Sequence, residues 1–205
     1  MKQTKLRPAL IVILAGAAFL ALSGSAHAQG QMDVAVGINT TTAPPASDAS
    51  GNHSPQSLTG GVYPSVSADF LFFKNFGVQG EVAWKGGRGE WGSFQPFRPF
   101  FYDFNAMYQP RLANRTYLEL LAGIGAQSTR FYIPNQVCDF VTCQNFVSVN
   151  HFMGHFGAGI KAYPFGHNFF VRPEAHLYLV HDNQEFSSAR AVRYGLSVGY
   201  TFGGR

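Results

Sequence analysis

The chain has 205 residues, 46% of them apolar and 15% aromatic, and only 13% charged, roughly half the charge of a typical soluble domain. The 23 Gly and 11 Pro exclude an all-helical bundle, and the 20 Phe exclude a disordered chain. A formal net charge of +4 invites a nucleic-acid role, but Lys2, Lys5 and Arg7 sit in an N-terminal leader; without them 12 basic residues face 11 acidic ones. No basic arm or cluster remains, and no nucleic-acid partner is expected.

Residues 1–28 read as a signal peptide: a basic start, an apolar run from Ala9 to Leu22, and Ala26-His27-Ala28. The run falls short of the roughly 20 residues a membrane-spanning helix needs. Cleavage after Ala28 would leave a mature chain starting at Gln29, with residues 29–205 as one domain. The two cysteines, Cys138 and Cys143, then pass through an oxidising compartment. Five positions apart in one predicted loop, they are expected to close a small disulfide ring. A structural zinc would need two further ligands that the segment lacks.

Beyond Ala28 no apolar run is long enough for a helix to span a bilayer, so a membrane could be crossed only by a closed β-barrel with every backbone group paired internally. Eight segments alternate with period two: Met32–Thr42, Val62–Phe72, Phe76–Lys85, Phe97–Gln109, Thr116–Ala126, His151–Tyr163, Phe169–Val180 and Arg190–Phe202. In the first, Val34, Val36 and Ile38 oppose Asp33, Gly37 and Asn39. The third sets Phe76, Val78, Val82 and Trp84 against Gln79 and Glu81. In the fifth, Leu118, Leu120 and Ile124 face away from Glu119, Gly123 and Gly125. The sixth opposes Phe152, Phe156 and Ile160 to His151, His155 and Lys161, and the seventh opposes Val171, Leu177 and Leu179 to Arg172, Glu174 and His176. The eighth carries Val192, Tyr194, Leu196 and Val198 on one side and Arg193 and Ser197 on the other. Ten-residue segments of this kind are the pattern of a membrane barrel.

Nine charges fall well inside these segments: Asp33, Asp69, Glu81, Asp103, Glu119, Lys161, Arg172, Glu174 and Arg193. Each has the parity opposite to the apolar row. A soluble lipocalin-like barrel would turn that row inward. The polar rows, however, are rich in Gly, which suits a crowded interior, and too poor in Lys and Glu to keep a soluble surface dispersed. Aromatics also gather at strand ends, with Phe73, Phe76, Tyr108, Tyr117, Tyr163, Phe165, Phe169, Tyr200 and Phe202 expected at one rim. Tyr63, Trp84, Trp91, Phe97 and Phe131 are expected at the other. The predicted fold is therefore all-β: a closed eight-stranded antiparallel up-and-down transmembrane β-barrel. Connections alternate long and short, starting with the long one at Ala43–Gly61, which places both termini on the periplasmic side. Pro64, Pro99 and Pro173 count against these strands, since Pro removes a ladder hydrogen bond; Pro173 suggests a bulge.

The last strand reads Arg193-x-Gly195-x-x-Val198-x-Tyr200-x-Phe202. With the architecture, it makes residues 29–202 resemble the small eight-stranded outer-membrane barrels of Gram-negative bacteria, the OmpA transmembrane domains and OmpX-like proteins. In that family Gly195, Val198, Tyr200 and Phe202 would form the C-terminal signal read by the barrel-assembly machinery; Gly203, Gly204 and Arg205 follow the aromatic, which usually stands last. The resemblance implies a place in the outer membrane, among its lipid and lipopolysaccharide.

Eight strands leave an interior that side chains nearly fill. Asp69, Glu81, Asp103, Glu119, His155, Lys161, Arg172, Glu174, His176 and Arg193 are thus expected to form a lumen charge network that plugs the barrel. A narrow path for protons or small solutes is the alternative. A lipid-modifying enzyme with a rim triad is a third reading; its candidates are His176, His181, Glu185, Ser187 and Ser188, with no spacing that forces a nucleophile against its base. His151 and His155 lie about 13 Å apart along a strand, too far to share a metal unaided. No cofactor, metal or catalytic residue is assigned. The segment Ala43–Gly61 is rich in Ser, Pro and Gly. Gln127–Asn150, apolar around its cysteines, is expected to extend as a hairpin above the membrane, packed on itself or contacting an extracellular ligand.

Overall fold

The computed structural model describes residues 30–43, 58–91, 95–138, 143–166, 168–183, 185–186 and 189–203. The proposed leader with Ala26, Ala28 and Gln29 lies outside the described residues, as do Ser187 and Ser188 and most of the first connection. Ten strands occur in chain order: β1 (Gln31–Thr42), β2 (Tyr63–Leu71), β3 (Phe76–Trp84), β4 (Gly89–Trp91), β5 (Gln95–Tyr108), β6 (Arg111–Ala113), β7 (Thr116–Cys138), β8 (Cys143–Phe165), β9 (Phe169–Val180) and β10 (Arg190–Phe202). Eight of them form the wall in the circular order β1-β2-β3-β5-β7-β8-β9-β10, closed where β10 returns to β1. Every pairing is antiparallel, and the short β4 and β6 only edge β5 and β7.

The wall is all-β and inside-out. Along β1 the residues alternate between buried Asp33, Gly37 and Asn39 and exposed Val36 and Ile38; along β9 buried Arg172, Glu174 and His176 alternate with exposed Leu177 and Leu179. Ile124, on β7, is 60% exposed while Glu119 on the same strand is 1% exposed. All nine strand charges singled out by parity are buried. Continuous apolar surface of this extent is stable against hydrocarbon, whereas a cationic side chain on the lipid face costs about 2–4 kcal/mol at mid-depth.

Small residues let the strands close tightly around this interior. A Cβ at Gly123 or Gly125 would run into the β5 backbone at Phe104 and Tyr102. One end of the barrel carries the short turns, including Gly166 at φ 76° and Arg115 at φ 60°; the other carries the longer connections. Both termini of the wall, Gln31 and Phe202, lie at the turn end beside one another, through the register Met32↔Phe202.

Three details bear on the sequence expectation. First, β7 and β8 run on past the segment ends at Ala126 and His151 into Gln127–Asn150, as the expected hairpin extension does. They leave β5 at Phe131 and β9 at Met153, and above those points pair only with each other, through Tyr132↔Phe146 and Cys138↔Cys143. Second, Pro173 makes no bulge. The β10 register runs through Leu196↔Pro173 without a break, and on β8 it resumes unchanged on either side, at Gly159↔Glu174 and Ala162↔Val171. The missing N–H thus falls where the two intervening pairs are not formed.

Third, the loop-end aromatic girdle is not where the strand ends suggested. Tyr63, Phe97 and Phe131 face inward and are buried, and Tyr163 does the same at the turn end. Each shares the parity of inward polar neighbours: Tyr63 that of Ser65 and Ser67, Phe97 that of Asp103, Phe131 that of Gln127 and Thr129. Outward aromatics at the turn end are Phe73, Phe76, Tyr108, Phe165, Phe169 and Phe202, all exposed.

Candidate functional site

The interior is layered along the barrel axis. Near the turn end, Lys161 on β8 places its ammonium 2.6 Å from Asp33, 3.3 Å from Glu119 and 3.5 Å from Asp69. Arg172 on β9 extends across the same layer. Its Nη1 donates to Asp69 at 3.0 Å and Glu119 at 2.7 Å, its Nε to Glu174 at 2.7 Å and Ser197 at 3.1 Å, and its Nη2 to Ser67 at 2.9 Å. Neutral side chains complete this cage: Gln79 and Gln109 donate to Glu119, and Gln31 donates to Asp33. Arg172 engages Asp69 on β2 and Glu119 on β7 as well as Glu174 on its own strand, so the wall is cross-braced through its centre. Each bond is charge-assisted and shielded from water.

The next layer is built around Arg193 on β10 and two histidines. Arg193 pairs with Glu81 on β3. His155 on β8 stacks on His176 of β9 with ring centroids 5.1 Å apart, and their nitrogens meet at 2.9 Å. The other His155 nitrogen lies 2.6 Å from Asn105 Oδ1 and 3.3 Å from Asp103. Gly157 makes room here, since a Cβ would stand 2.9 Å from Leu121 and 3.1 Å from the His176 ring. This layer is less completely paired: among the described residues Glu81 Oε2, Glu174 Oε1, His176 Nε2, Asp103 Oδ2 and the Arg193 Nε and Nη1 have no hydrogen-bond partner.

Aromatic rings lead from the histidines to the mouth. Tyr178 stacks on His155 at 5.0 Å and on Phe101 at 4.8 Å. Tyr63 packs against Phe101 and its hydroxyl donates to the Leu58 carbonyl at 3.0 Å, drawing the end of the first long connection inward. Above them Phe97, Phe131 and Phe186 form a lid. Phe186 lies 5.0 Å from Phe97, and Trp91 closes the side, its indole N–H donating to Glu185 O at 2.8 Å. Lys85 reaches over Phe97 at 5.4 Å, and burial there lowers its pKa below the usual lysine value.

The ten residues expected in the lumen network are all buried there, and the structure divides them. Lys161, Arg172, Asp69 and Glu119 meet in the lower cage; Glu81, Asp103, His155, His176 and Arg193 form the layer above, and Glu174 joins the two, one oxygen on Arg172 and the other facing His176. Sequence reasoning did not find the neutral partners, the lid, or the loop residues Leu58 and Phe186. Of the rim candidates, His176 lies deep in the lumen, His181 is exposed, and Glu185 is held by His151 at 2.7 Å. Cys138 and Cys143 face each other as register partners at the hairpin end. Gly195, Val198, Tyr200 and Phe202 lie along β10 as expected.

No protein-family model matches the chain, and no curated relative matches it in sequence. Solved structures do match in fold. Ail, the attachment invasion locus protein of Yersinia pestis, crystallised with the heparin analogue sucrose octasulfate, is 17% identical at a TM-score of 0.55, covering 85% of this chain and 99% of that one. Neisserial surface protein A is 10% identical at a TM-score of 0.57, over 84% and 97%. The N-terminal barrel of Pseudomonas aeruginosa OprF is 14% identical at a TM-score of 0.52, over 85% and 100%. The chain thus has the fold of the small eight-stranded outer-membrane β-barrels, with a lumen plugged by charged residues.

Proposed function

We propose that this protein is a non-conducting outer-membrane barrel whose role is structural and surface-interacting, exercised through its extracellular loops. The observation that carries this reading is the closure of the lumen. A cross-braced ion-pair cage is roofed by Phe97, Phe131 and Phe186, while the β7–β8 hairpin continues beyond the wall. A solute path needs continuous wet space, and the aromatic roof favours a plug over a pore. No catalytic role is assigned, since His176, His181 and Glu185 are dispersed among three different settings.

The foot of the hairpin suggests what it meets. Arg98 and Arg130 are register partners on the outer face of β5 and β7. Arg130 lies over the rings of Phe100 and Phe146, and Arg88 lies 3.9 Å from the Tyr132 ring centroid. Guanidinium groups held over aromatic rings suit the phosphates and sulfates of lipopolysaccharide or surface glycans. Ail was crystallised with a polysulfated sugar, and we assign the same class of anion to this arginine row.

Several further assignments accompany this one. Residues 1–28 act as the export signal with cleavage at Ala28, and the turn end with both termini faces the periplasm. The β10 ending serves the barrel-assembly machinery, and Cys138 and Cys143, opposite each other across the hairpin, form a disulfide. The test is reconstitution of the wild-type barrel in planar bilayers and in vesicles bearing lipopolysaccharide. The expected result is no resolved conductance, and vesicle binding that falls when Arg88 and Arg130 become Ala. Discrete conductance steps would favour the narrow pore, and a lipid A mass shift on expression would favour an enzyme; either overturns the proposal.

A further inference from the structure

Three of the unpaired atoms in the upper layer belong to one group of side chains. Glu81 on β3, and Glu174 and His176 on β9, bring one ligand atom each within 4.8 Å of the others, and all three residues are buried. Each carboxylate is held through one oxygen by an arginine, Glu81 by Arg193 and Glu174 by Arg172. The second oxygen of each, and His176 Nε2, has no hydrogen-bond partner among the described residues. Buried polar atoms left unpaired are costly, and three converging in one place call for a ligand.

A hydrogen-bond chain runs behind His176 and fixes the orientation of its ring. Asn105 donates through Nδ2 to Asp103 at 2.5 Å and Gln79 at 3.3 Å, so its Oδ1 accepts, and it accepts from His155 Nδ1. His155 Nε2 in turn lies 2.9 Å from His176 Nδ1, so the inner nitrogen of His176 is engaged and Nε2 is the one that faces Glu174. A histidine whose far nitrogen is anchored in this way is the arrangement found behind metal-bound imidazoles. His176 Nε2 stands 3.7 Å from Glu174 Oε1, too long for a hydrogen bond. It is close to the roughly 3.4 Å that separates two ligands on a tetrahedral ion at about 2.0–2.2 Å.

Charge points the same way. Asp33, Asp69, Glu81, Asp103, Glu119 and Glu174 share the interior with Lys161, Arg172 and Arg193 alone as fixed cations among the described residues. Buried carboxylates need compensation, and a divalent cation supplies two charges at the layer where pairing is poorest.

We propose that Glu81, Glu174 and His176 bind one divalent transition-metal ion of the zinc class inside the lumen. One imidazole nitrogen and two carboxylate oxygens make a borderline donor set suited to zinc, cobalt or manganese, with a fourth position for water. Since β3 and β9 are not neighbours in the wall, the ion ties opposite sides of the barrel together. The roof excludes easy entry, so the ion is taken up as the barrel closes.

The test is refolding of the full-length, untagged mature chain into detergent with equimolar zinc, followed by removal of loosely held metal with a chelator and elemental analysis. Folding is confirmed by the mobility difference between unheated and boiled samples. The expected result is close to one zinc per chain, with cobalt giving visible absorption of a nitrogen- and oxygen-ligated ion. His176→Gln should lose at least tenfold in affinity. His155→Gln, which removes only the anchor, should weaken binding by roughly 10–100-fold. His151→Gln and His181→Gln should change nothing. Folded wild-type protein that retains no zinc, meaning that water fills the site, overturns the proposal, as does full retention by folded His176→Gln. Should His176→Gln not fold, the cobalt spectrum of the wild-type protein decides: absence of a ligand-field band overturns the site.

Discussion

The two charged layers of the lumen use the same residue types to different ends. In the lower cage Arg172 spends every nitrogen on a carboxylate or hydroxyl, and Lys161 is surrounded by three acids. In the upper layer Arg193 engages Glu81 while its Nε and Nη1 find no partner among the described residues, and the same holds for one atom each of Glu81, Glu174 and His176. The lower layer is a finished brace. The upper one is a set of donors held in place by the lower one and by the Asn105–His155 relay, with capacity left for a guest. Satisfied polar networks rigidify, whereas unsatisfied ones mark a function or a missing partner.

Removing the brace should have the largest effect. Arg172→Ala takes the arginine from Glu174 and leaves Asp69, Glu119 and Asp33 to share Lys161 alone. It should lower the unfolding free energy by about 3–5 kcal/mol, read as the urea midpoint of the gel-mobility shift. A smaller loss follows from violating the parity of the wall. Ile124→Lys puts a charge against the acyl chains and should cost about 2–4 kcal/mol in the same assay, while Ile124→Val should be close to neutral.

Gly157→Ala sharpens the contrast between the layers. Its new methyl presses on Leu121 and the His176 ring, so overpacking should cost about 1–3 kcal/mol. Zinc retention should fall further than that stability change alone would bring about. The smallest effect on the barrel should come from replacing Cys138 and Cys143 with Ser. The β7–β8 extension is paired with neither β5 nor β9 at that height, so the urea midpoint should stay within about 0.5 kcal/mol of wild type. Protease resistance of the hairpin tip should drop; unchanged resistance would remove the pinning role.

The barrel was legible in the sequence because each strand between two phases of different polarity must alternate, and nine charges of consistent parity report that constraint residue by residue. Where the constraint lapses, so does legibility. Beyond Phe131 on β7 and before Met153 on β8 the hairpin leaves the wall and alternation fades, so period two alone does not fix where these strands end, although most of Gln127–Asn150 is strand. The inward aromatics escape a reading by position, because a strand end suits a rim ring on either face. Parity separates the two faces, and it puts Phe97 with Asp103, six residues on. The convergence of Glu81 with Glu174 and His176 was not legible, since it depends on register accumulated across the strands between β3 and β9.

The most direct test of the inside-out arrangement is photolabelling of the folded wild-type protein from lipids that carry a diazirine in the acyl chain, mapped by peptide mass spectrometry. Diazirine-derived carbenes and diazo species react readily with carboxylates, so a buried acid that escapes them is well shielded. The account predicts label on Phe104, Ile124, Phe156 and Leu196 and none on Glu119, Arg172 or Glu174. Label on those three from the lipid phase would contradict it.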